Sequence, residues 1–127
     1  MAVIGDRFAR CLRLSLPALA LGLAASAASA AEVSFELRIE RGQVPAAMRR
    51  IRVGQGDVVR LRWTSDRPLA LHLHGYDIET KVEPGKAAVM SFTARATGRF
   101  SVEEHRPQGS GGHAHGAPLV RIEVYPR

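Results

Sequence analysis

Between residues 32 and 125 the sequence is a succession of short segments in which apolar and polar residues alternate, separated by turn-forming residues. A period of two is typical of strands with one buried face, and no stretch has the longer period of an amphipathic helix. About eight segments recur at a spacing of roughly ten residues. They cover residues 32–40, 51–53, 59–64, 69–74, 77–82, 88–94, 99–105 and 119–125. We therefore predict an all-β domain, an antiparallel β-sandwich of about seven to eight strands.

The first 30 residues differ in composition from the rest of the chain. Three arginines within the first 13 residues precede an apolar run over 14–25, and small residues fill 24–31. This three-part order is typical of a secretory signal peptide, here residues 1–30. The apolar run is shorter than the roughly 20 residues that span a bilayer, which disfavours an uncleaved anchor. We predict cleavage before Ala31, export to the periplasm and a mature domain of residues 31–127 without a membrane span.

Charge and cysteine content exclude several classes of function. Removing residues 1–30, which hold three arginines and one aspartate, lowers the net charge from +6 to +4. The remaining arginines are interleaved with acidic residues, and only residues 48–52 resemble a basic patch, so we do not expect nucleic-acid binding. Cys11, the one cysteine of the chain, lies in the predicted signal peptide. The mature domain therefore has no disulfide and no thiolate that could act as nucleophile or metal ligand.

The histidines are candidates for metal binding because all five fall in two segments of the chain. His72 and His74 alternate with leucines, so a strand would place both imidazoles on one face, about 7 Å apart at the base. Tyr76 and Asp77 follow directly and could hold an imidazole tautomer by hydrogen bonding. The other histidines lie in one later segment: His105, His113 and His115. The alternative is that these histidines are packed or solvated residues that bind nothing.

Three motifs follow one another along the mature chain. They are Ile51-x-Val53 … Gly56-Asp57-x-Val59-x-Leu61-x-Trp63, then Val82-x-Pro84-Gly85 … Phe92 … Gly98-x-Phe100, and then a histidine-bearing loop before Leu119-Val120-x-Ile122-x-Val124. From about residue 34 to residue 126, their order resembles the cupredoxin family. Separately, the segment from His72 to Gly75 is similar to the His-x-His-Gly element with which multicopper oxidases hold copper. The resemblance implies a cupredoxin-like Greek-key β-sandwich.

One departure from the cupredoxin pattern limits the function. A blue-copper cupredoxin has a cysteine ligand near the position of Glu104, and residues 31–127 contain no cysteine. Thiolate ligation underlies blue-copper electron transfer, so we do not expect that activity. The family topology would bring the strand ending at His74 beside the loop after His105, at one end of the sandwich. The implied metal ligands are His72, His74 and His105, with Glu103 or Glu104 adding oxygen and with His113 and His115 of the glycine-rich loop as mobile accessory donors.

The donor set determines which metal is expected. Imidazole and carboxylate without sulfur suit Cu(II), and zinc or nickel could also bind. The sequence therefore predicts an exported periplasmic protein that binds, buffers or delivers copper, with the metal ion and a periplasmic or inner-membrane protein as partners. Two alternatives remain open, a metal-free cupredoxin-like protein-interaction module and a small mononuclear copper oxidoreductase. No nucleophile or pair of carboxylates stands out, so the sequence does not itself indicate an enzyme.

Overall fold

The computed structural model describes residues 29–105 and 117–127, which form eight strands and one 3₁₀ helix. The strands are β1 (Glu32–Ile39), β2 (Arg50–Gly54), β3 (Val58–Ser65), β4 (Leu69–Leu73), β5 (Ile78–Val82), β6 (Ala88–Thr93), β7 (Gly98–His105) and β8 (Val120–Tyr125), and the helix is Ala46–Met48. Most of the predicted signal peptide, residues 1–28, lies outside the described residues. Across the part of the chain that is described, no helix is long and apolar enough to cross a membrane.

The strands form two sheets, which confirms the predicted β-sandwich. One sheet has three strands in the order β1-β3-β6, and the other has five in the order β2-β8-β7-β4-β5. Strands β4, β5 and β7 pair antiparallel in the larger sheet, with β8 antiparallel to β7. The order β7-β4-β5 places the edge hairpin of β4 and β5 beside a strand that comes much later in sequence.

The prediction of a purely antiparallel sandwich is wrong for two strand pairs. β1 pairs with β3 in parallel, and β2 pairs with β8 in parallel. Parallel neighbours need a crossover connection rather than a tight hairpin. Between β1 and β3 the chain passes through the opposite sheet as β2, and this excursion supplies the crossover. The sandwich is therefore mixed because successive strands change sheets.

The core lies between the two sheets and is built by the inward positions of alternating strands. On β3, Val59, Leu61 and Trp63 are completely buried while the residues between them are exposed. β4 contributes Leu71 and Leu73 to the same core, both without solvent exposure. Every buried hydrophobic residue in the described part of the chain lies between residues 37 and 124. Residues 31–127 therefore contain the whole of this core.

Candidate metal site on the outer face of the five-stranded sheet

The two histidines of β4 point away from the core. Because Leu71 and Leu73 occupy the inward positions, His72 and His74 project from the outer face of the five-stranded sheet. The backbone N–H of His74 donates to the carbonyl of Ser101 at 2.9 Å, which continues the pairing with β7 one residue beyond the end of β4. The two imidazole rings are in contact, with centroids 4.5 Å apart. The predicted common face is therefore present.

β7 brings the third described histidine to the same face. In the β4–β7 ladder, His72 lies opposite Glu103 and Ala70 lies opposite His105. Directly opposed residues share a face, so His105 is a diagonal neighbour of His72. Their ring centroids are 6.4 Å apart. The structure thus joins two segments that are about 30 residues apart in sequence. His113 and His115 lie outside the described residues.

The position of the cluster differs from the expected one at the end of the sandwich. The histidines lie on the outward surface of the sheet, because the leucines that alternate with them take the inward positions. Exposure follows from this placement, and the side chains of His74 and His105 are 45% and 53% exposed. Solvent and metal ions therefore reach these rings directly.

Each of the three histidines has its own carboxylate neighbour. His72 Nε2 lies 3.2 Å from Asp77 Oδ1, and His74 Nε2 lies 3.2 Å from Glu103 Oε2. His105 Nε2 lies 4.0 Å from Glu79 Oε1 on β5. Carboxylate partners of this kind orient an imidazole and select its tautomer. The contact of Asp77 agrees with the role that the sequence suggested for it.

Glu79 is the site residue that sequence reasoning missed. It lies on β5 directly opposite His72 of β4, and so shares the outer face with the histidines. The signal that could have found it is the register of the β4–β5 hairpin. Counting back from the turn pairs residue 73 with residue 78, and therefore residue 72 with residue 79.

The donor atoms are of the types found in metal sites with nitrogen and oxygen ligands, but their side chains do not surround a common point. Imidazole nitrogens and carboxylate oxygens on one exposed face suit Cu(II) or zinc. Among residues 29–105 and 117–127, no group of three such side chains is arranged around a single point. Each Nε2 atom instead faces a carboxylate. Binding of one ion by several histidines therefore requires rotation of exposed side chains, which have room to turn.

The two adjacent glutamates of β7 face opposite sides of the sheet. Glu103 lies beside His74, and the hydroxyl of Ser101 donates to its Oε1 at 3.1 Å. Glu104 lies opposite the buried Leu71 and therefore belongs to the inner side. Both of its oxygens accept hydrogen bonds of 2.8 Å from the guanidinium of Arg67. This pairing raises the pKa of Arg67 and fixes Glu104 away from the histidines.

We expect the two glutamates to behave differently when each is changed to glutamine. Glu103→Gln should weaken the binding of Cu(II) to this candidate site about tenfold, because it removes a charged oxygen beside His74. Glu104→Gln should leave copper affinity unchanged and lower the free energy of unfolding by about 1 kcal/mol, since the ion pair it removes is partly exposed. Copper titration and urea denaturation of both variants measure these effects. Equal loss of copper affinity in the two variants would contradict the placement of Glu103 beside the histidines and of Glu104 on the opposite side of the sheet.

The turn after His74 has a backbone that few residues tolerate. Gly75 has a φ of +89°, and a Cβ atom there would lie 2.6 Å from the ring of Phe100. Asp77 also has a positive φ, at 54°. The Tyr76 ring packs between Phe92 and Phe100, with centroid distances of 4.7 and 4.9 Å. Its hydroxyl is buried without a hydrogen-bond partner in the described structure, so Tyr76 does not hold an imidazole as the sequence suggested.

A basic region shares the outer face with the histidines. We define the arginine surface as Arg50 and Arg52 of β2, Arg99 of β7 and Arg121 of β8, around Glu123. Glu123 lies 3.3 Å from Arg52, 3.8 Å from Arg50 and 4.0 Å from Arg99. The hydroxyl of Tyr125 donates to Glu123, and together with the arginines this holds the pKa of Glu123 below its usual range. Four arginines around one glutamate leave this surface positively charged.

Comparison with known proteins identifies the architecture. No protein-family model matches the sequence, and no curated protein does so either. The structure is similar to a heme-copper terminal oxidase, at 25% identity, a TM-score of 0.56 and coverage of 72% of this chain and 64% of that one. It is also similar to the periplasmic domain of cytochrome oxidase subunit II of Bradyrhizobium japonicum, at 16% identity, a TM-score of 0.56 and coverage of 73% and 83%. The domain has a cupredoxin-like fold.

A smaller protein shares this cupredoxin-like fold. A copper binding protein, solved in its apo form, matches at 15% identity and a TM-score of 0.53, with coverage of 72% of this chain and 88% of that one. The cupredoxin-like domain spans 64% of the length of the terminal oxidase chain. Fold alone does not assign a ligand, because ligands depend on the residues placed on it.

Proposed function

We propose that this protein is an exported periplasmic Cu(II)-binding domain that binds, buffers or delivers copper. The observation that carries the proposal is the convergence of His72, His74 and His105 on one exposed face, with ring centroids 4.5 and 6.4 Å apart. Histidines on a strand surface have no packing reason to cluster in this way. Imidazole ligands without sulfur favour Cu(II) among common divalent metals, and zinc or nickel are the next candidates.

The side chains of the cluster have distinct roles in this proposal. His72 and His74 supply the first two nitrogens, since their rings already touch. His105 supplies a third after rotation, and Glu103 adds a charged oxygen that lies 3.2 Å from His74 Nε2. Asp77 and Glu79 orient His72 and His105 and neutralise part of the added positive charge. The bound metal would supply a Lewis-acid centre with nitrogen-rich ligation and no thiolate, which is unsuited to blue-copper electron transfer.

The similar proteins support copper and the periplasm as parts of the proposal. Their names describe a heme-copper oxidase, the periplasmic domain of a cytochrome oxidase subunit and a copper binding protein. The arrangement of basic, apolar and small residues over 1–30 supports export. His113 and His115 would add accessory donors from the glycine-rich loop.

Titration with Cu(II), followed by electron paramagnetic resonance, tests the proposal. Residues 31–127 should bind one equivalent of Cu(II) and give a spectrum with nitrogen hyperfine structure. His72→Ala/His74→Ala should lose this spectrum, with affinity reduced about 100-fold or more, since removing a ligand exceeds the effect of removing a group that orients one. His113→Ala/His115→Ala is the comparison variant, because it removes the same number of imidazoles but only accessory donors; it should keep the nitrogen hyperfine structure and lose much less affinity.

A second candidate function is a metal-free protein-interaction module, and the arginine surface favours it. Its arginines are largely exposed, and Tyr125 lies beside them with the guanidinium of Arg52 5.8 Å from its ring centroid. Arginine and tyrosine are enriched where proteins bind each other. An acidic protein surface would complement this region. Copper binding that is weak and unaffected by the histidine substitutions would favour this function over the first.

A further inference from the structure

Both backbone polar groups of Ala31 are hydrogen-bonded to the domain. The backbone N–H of Ala31 donates to Asp57 Oδ1 at 3.0 Å, and its carbonyl accepts from the N–H of Val58 at 2.9 Å. β1 begins at the next residue and pairs with β3 from Glu32 and Val58 onward. Ser29 and Ala30 are exposed. Ala31 is therefore the first described residue whose backbone N–H and carbonyl are both hydrogen-bonded to the domain. It is also the residue before which the sequence predicts cleavage of the signal peptide.

The acceptor at this point is an unusual aspartate. Asp57 is 2% exposed, yet its contacts all favour the ionised form. Besides Ala31, the N–H of Gly54 donates to its Oδ2 at 2.8 Å, and Arg127 Nη2 lies 2.7 Å from Oδ1 and 2.9 Å from Oδ2. Hydrogen bonding from Ala31 is the main reason that the pKa of Asp57 lies below its usual value, and Gly54 and Arg127 contribute.

We propose that Asp57 is the binding site for the α-ammonium group of the processed chain, created when the signal peptide is removed between Ala30 and Ala31. Hydrolysis breaks the amide C–N bond. The oxygen of water goes to the carboxylate of Ala30, and its two hydrogens end on the nitrogen of Ala31, which becomes a cation. That nitrogen already lies 3.0 Å from Oδ1 in the described chain. Processing therefore converts a hydrogen bond between a neutral amide N–H and the carboxylate into an ion pair, with the nitrogen already within hydrogen-bond distance.

The charge balance around Asp57 is consistent with this arrangement. Arg127 is the charged group that contacts this carboxylate in the described residues, and it also donates to the carbonyl of Ser29 at 2.7 Å. Cleavage removes Ser29, so Arg127 keeps only the carboxylate. One carboxylate then faces two cations, the guanidinium of Arg127 through its Nη2 and a compact ammonium. The proposal rests on the predicted signal peptide and is independent of copper.

The ion pair should appear as a raised pKa of the α-amine. An unperturbed α-amine has a pKa of about 7.7–8.0, and a buried carboxylate partner raises it. The pair therefore stabilises the fold fully below that range, and the stabilisation is lost as pH rises through the folded value. Arg127 opposes the shift because it carries the same charge as the ammonium group.

The test begins with the exported protein and the mass of its mature form, which should correspond to a terminus at Ala31. The pKa of its α-amine is then obtained from the pH dependence of acetylation by acetic anhydride. The comparison chain begins at Ala30, so it keeps the Ala31 hydrogen bond but moves the charge by about 3.8 Å. We expect a pKa at least about one unit higher for the Ala31 terminus, a tenfold difference in the protonation equilibrium.

Asp57→Asn in the chain that begins at Ala31 provides a second comparison and should return the α-amine to its ordinary range. If that variant does not fold, the Ala30 chain still decides the question. Equal pKa values for the two termini would overturn the proposal, as would cleavage elsewhere in the exported protein. Copper titration of the Ala30 and Ala31 chains should give the same affinity, which separates this proposal from the proposed function.

Discussion

Replacing Trp63 by alanine should lower the free energy of unfolding by about 3–5 kcal/mol. Trp63 has no solvent exposure and lies on β3, the central strand of the three-stranded sheet. Its loss leaves a large cavity between the sheets, because the neighbouring strands are held by their ladders and cannot collapse into it. A domain of this size is typically stable by about 5–15 kcal/mol, so the variant would lose a large share of its stability. Urea denaturation, monitored by circular dichroism, measures the effect.

Two other substitutions serve as controls for Trp63→Ala. Val89→Ala changes a residue that is 53% exposed on β6 of the same sheet and should alter stability by less than about 0.5 kcal/mol. Trp63→Phe removes an indole N–H that is buried without a hydrogen-bond partner in the described structure, so part of its packing loss is recovered. The argument fails if Trp63→Ala is no more harmful than Val89→Ala.

Gly75→Ala should lower the free energy of unfolding by about 2–5 kcal/mol, and it should also weaken copper binding. A positive φ disfavours alanine by about 1–2 kcal/mol. The added Cβ would lie 2.6 Å from the Phe100 ring, and such overpacking adds about 1–3 kcal/mol. The displaced turn carries His74, so one of the proposed metal ligands moves with it. Thermal or urea denaturation, together with Cu(II) titration, measures both consequences.

Gly85→Ala is the matched control for Gly75→Ala. Gly85 also has a positive φ, of +75°, but a Cβ atom there would have nothing within 4 Å. Gly85→Ala should therefore lower the free energy of unfolding by about 1–2 kcal/mol, which is the cost of the positive φ alone, and should leave copper affinity unchanged. Combining Gly75→Ala with Phe100→Leu should recover part of the difference, because the two residues are in contact. Identical losses in the two glycine variants would disprove the contact with Phe100.

The strands were predictable from the sequence because each has one buried face. The alternation around Trp63 predicted a strand over 59–64, and β3 spans Val58–Ser65. Which strands pair with each other could not be predicted in the same way. The parallel partners β1 and β3 are joined through a strand of the other sheet, and alternation says nothing about which strand becomes a neighbour.

The sequence predicted those features of the site that follow from the alternation of faces along one strand. It did not predict those that depend on the register between two strands. The common face of His72 and His74 follows from a spacing of two. The opposite faces of Glu103 and Glu104 follow from the same period, whereas the contribution of Glu79 depends on the residue that lies opposite it on β4. Tyr76 was misjudged because its ring is drawn into an aromatic cluster with Phe92 and Phe100, which are remote in sequence.

The position of β8 has a consequence for the order in which the chain can fold. This last strand lies between β2 and β7, so the five-stranded sheet has a gap until residues 120–125 are available. A chain that emerges from its N-terminus can form the hairpin of β4 and β5, yet β2 has no partner in its sheet until β8 arrives. Closing such a long loop delays folding. The architecture therefore keeps the five-stranded sheet from closing until residues 120–125 have been synthesised, which would suit the export before folding that we propose.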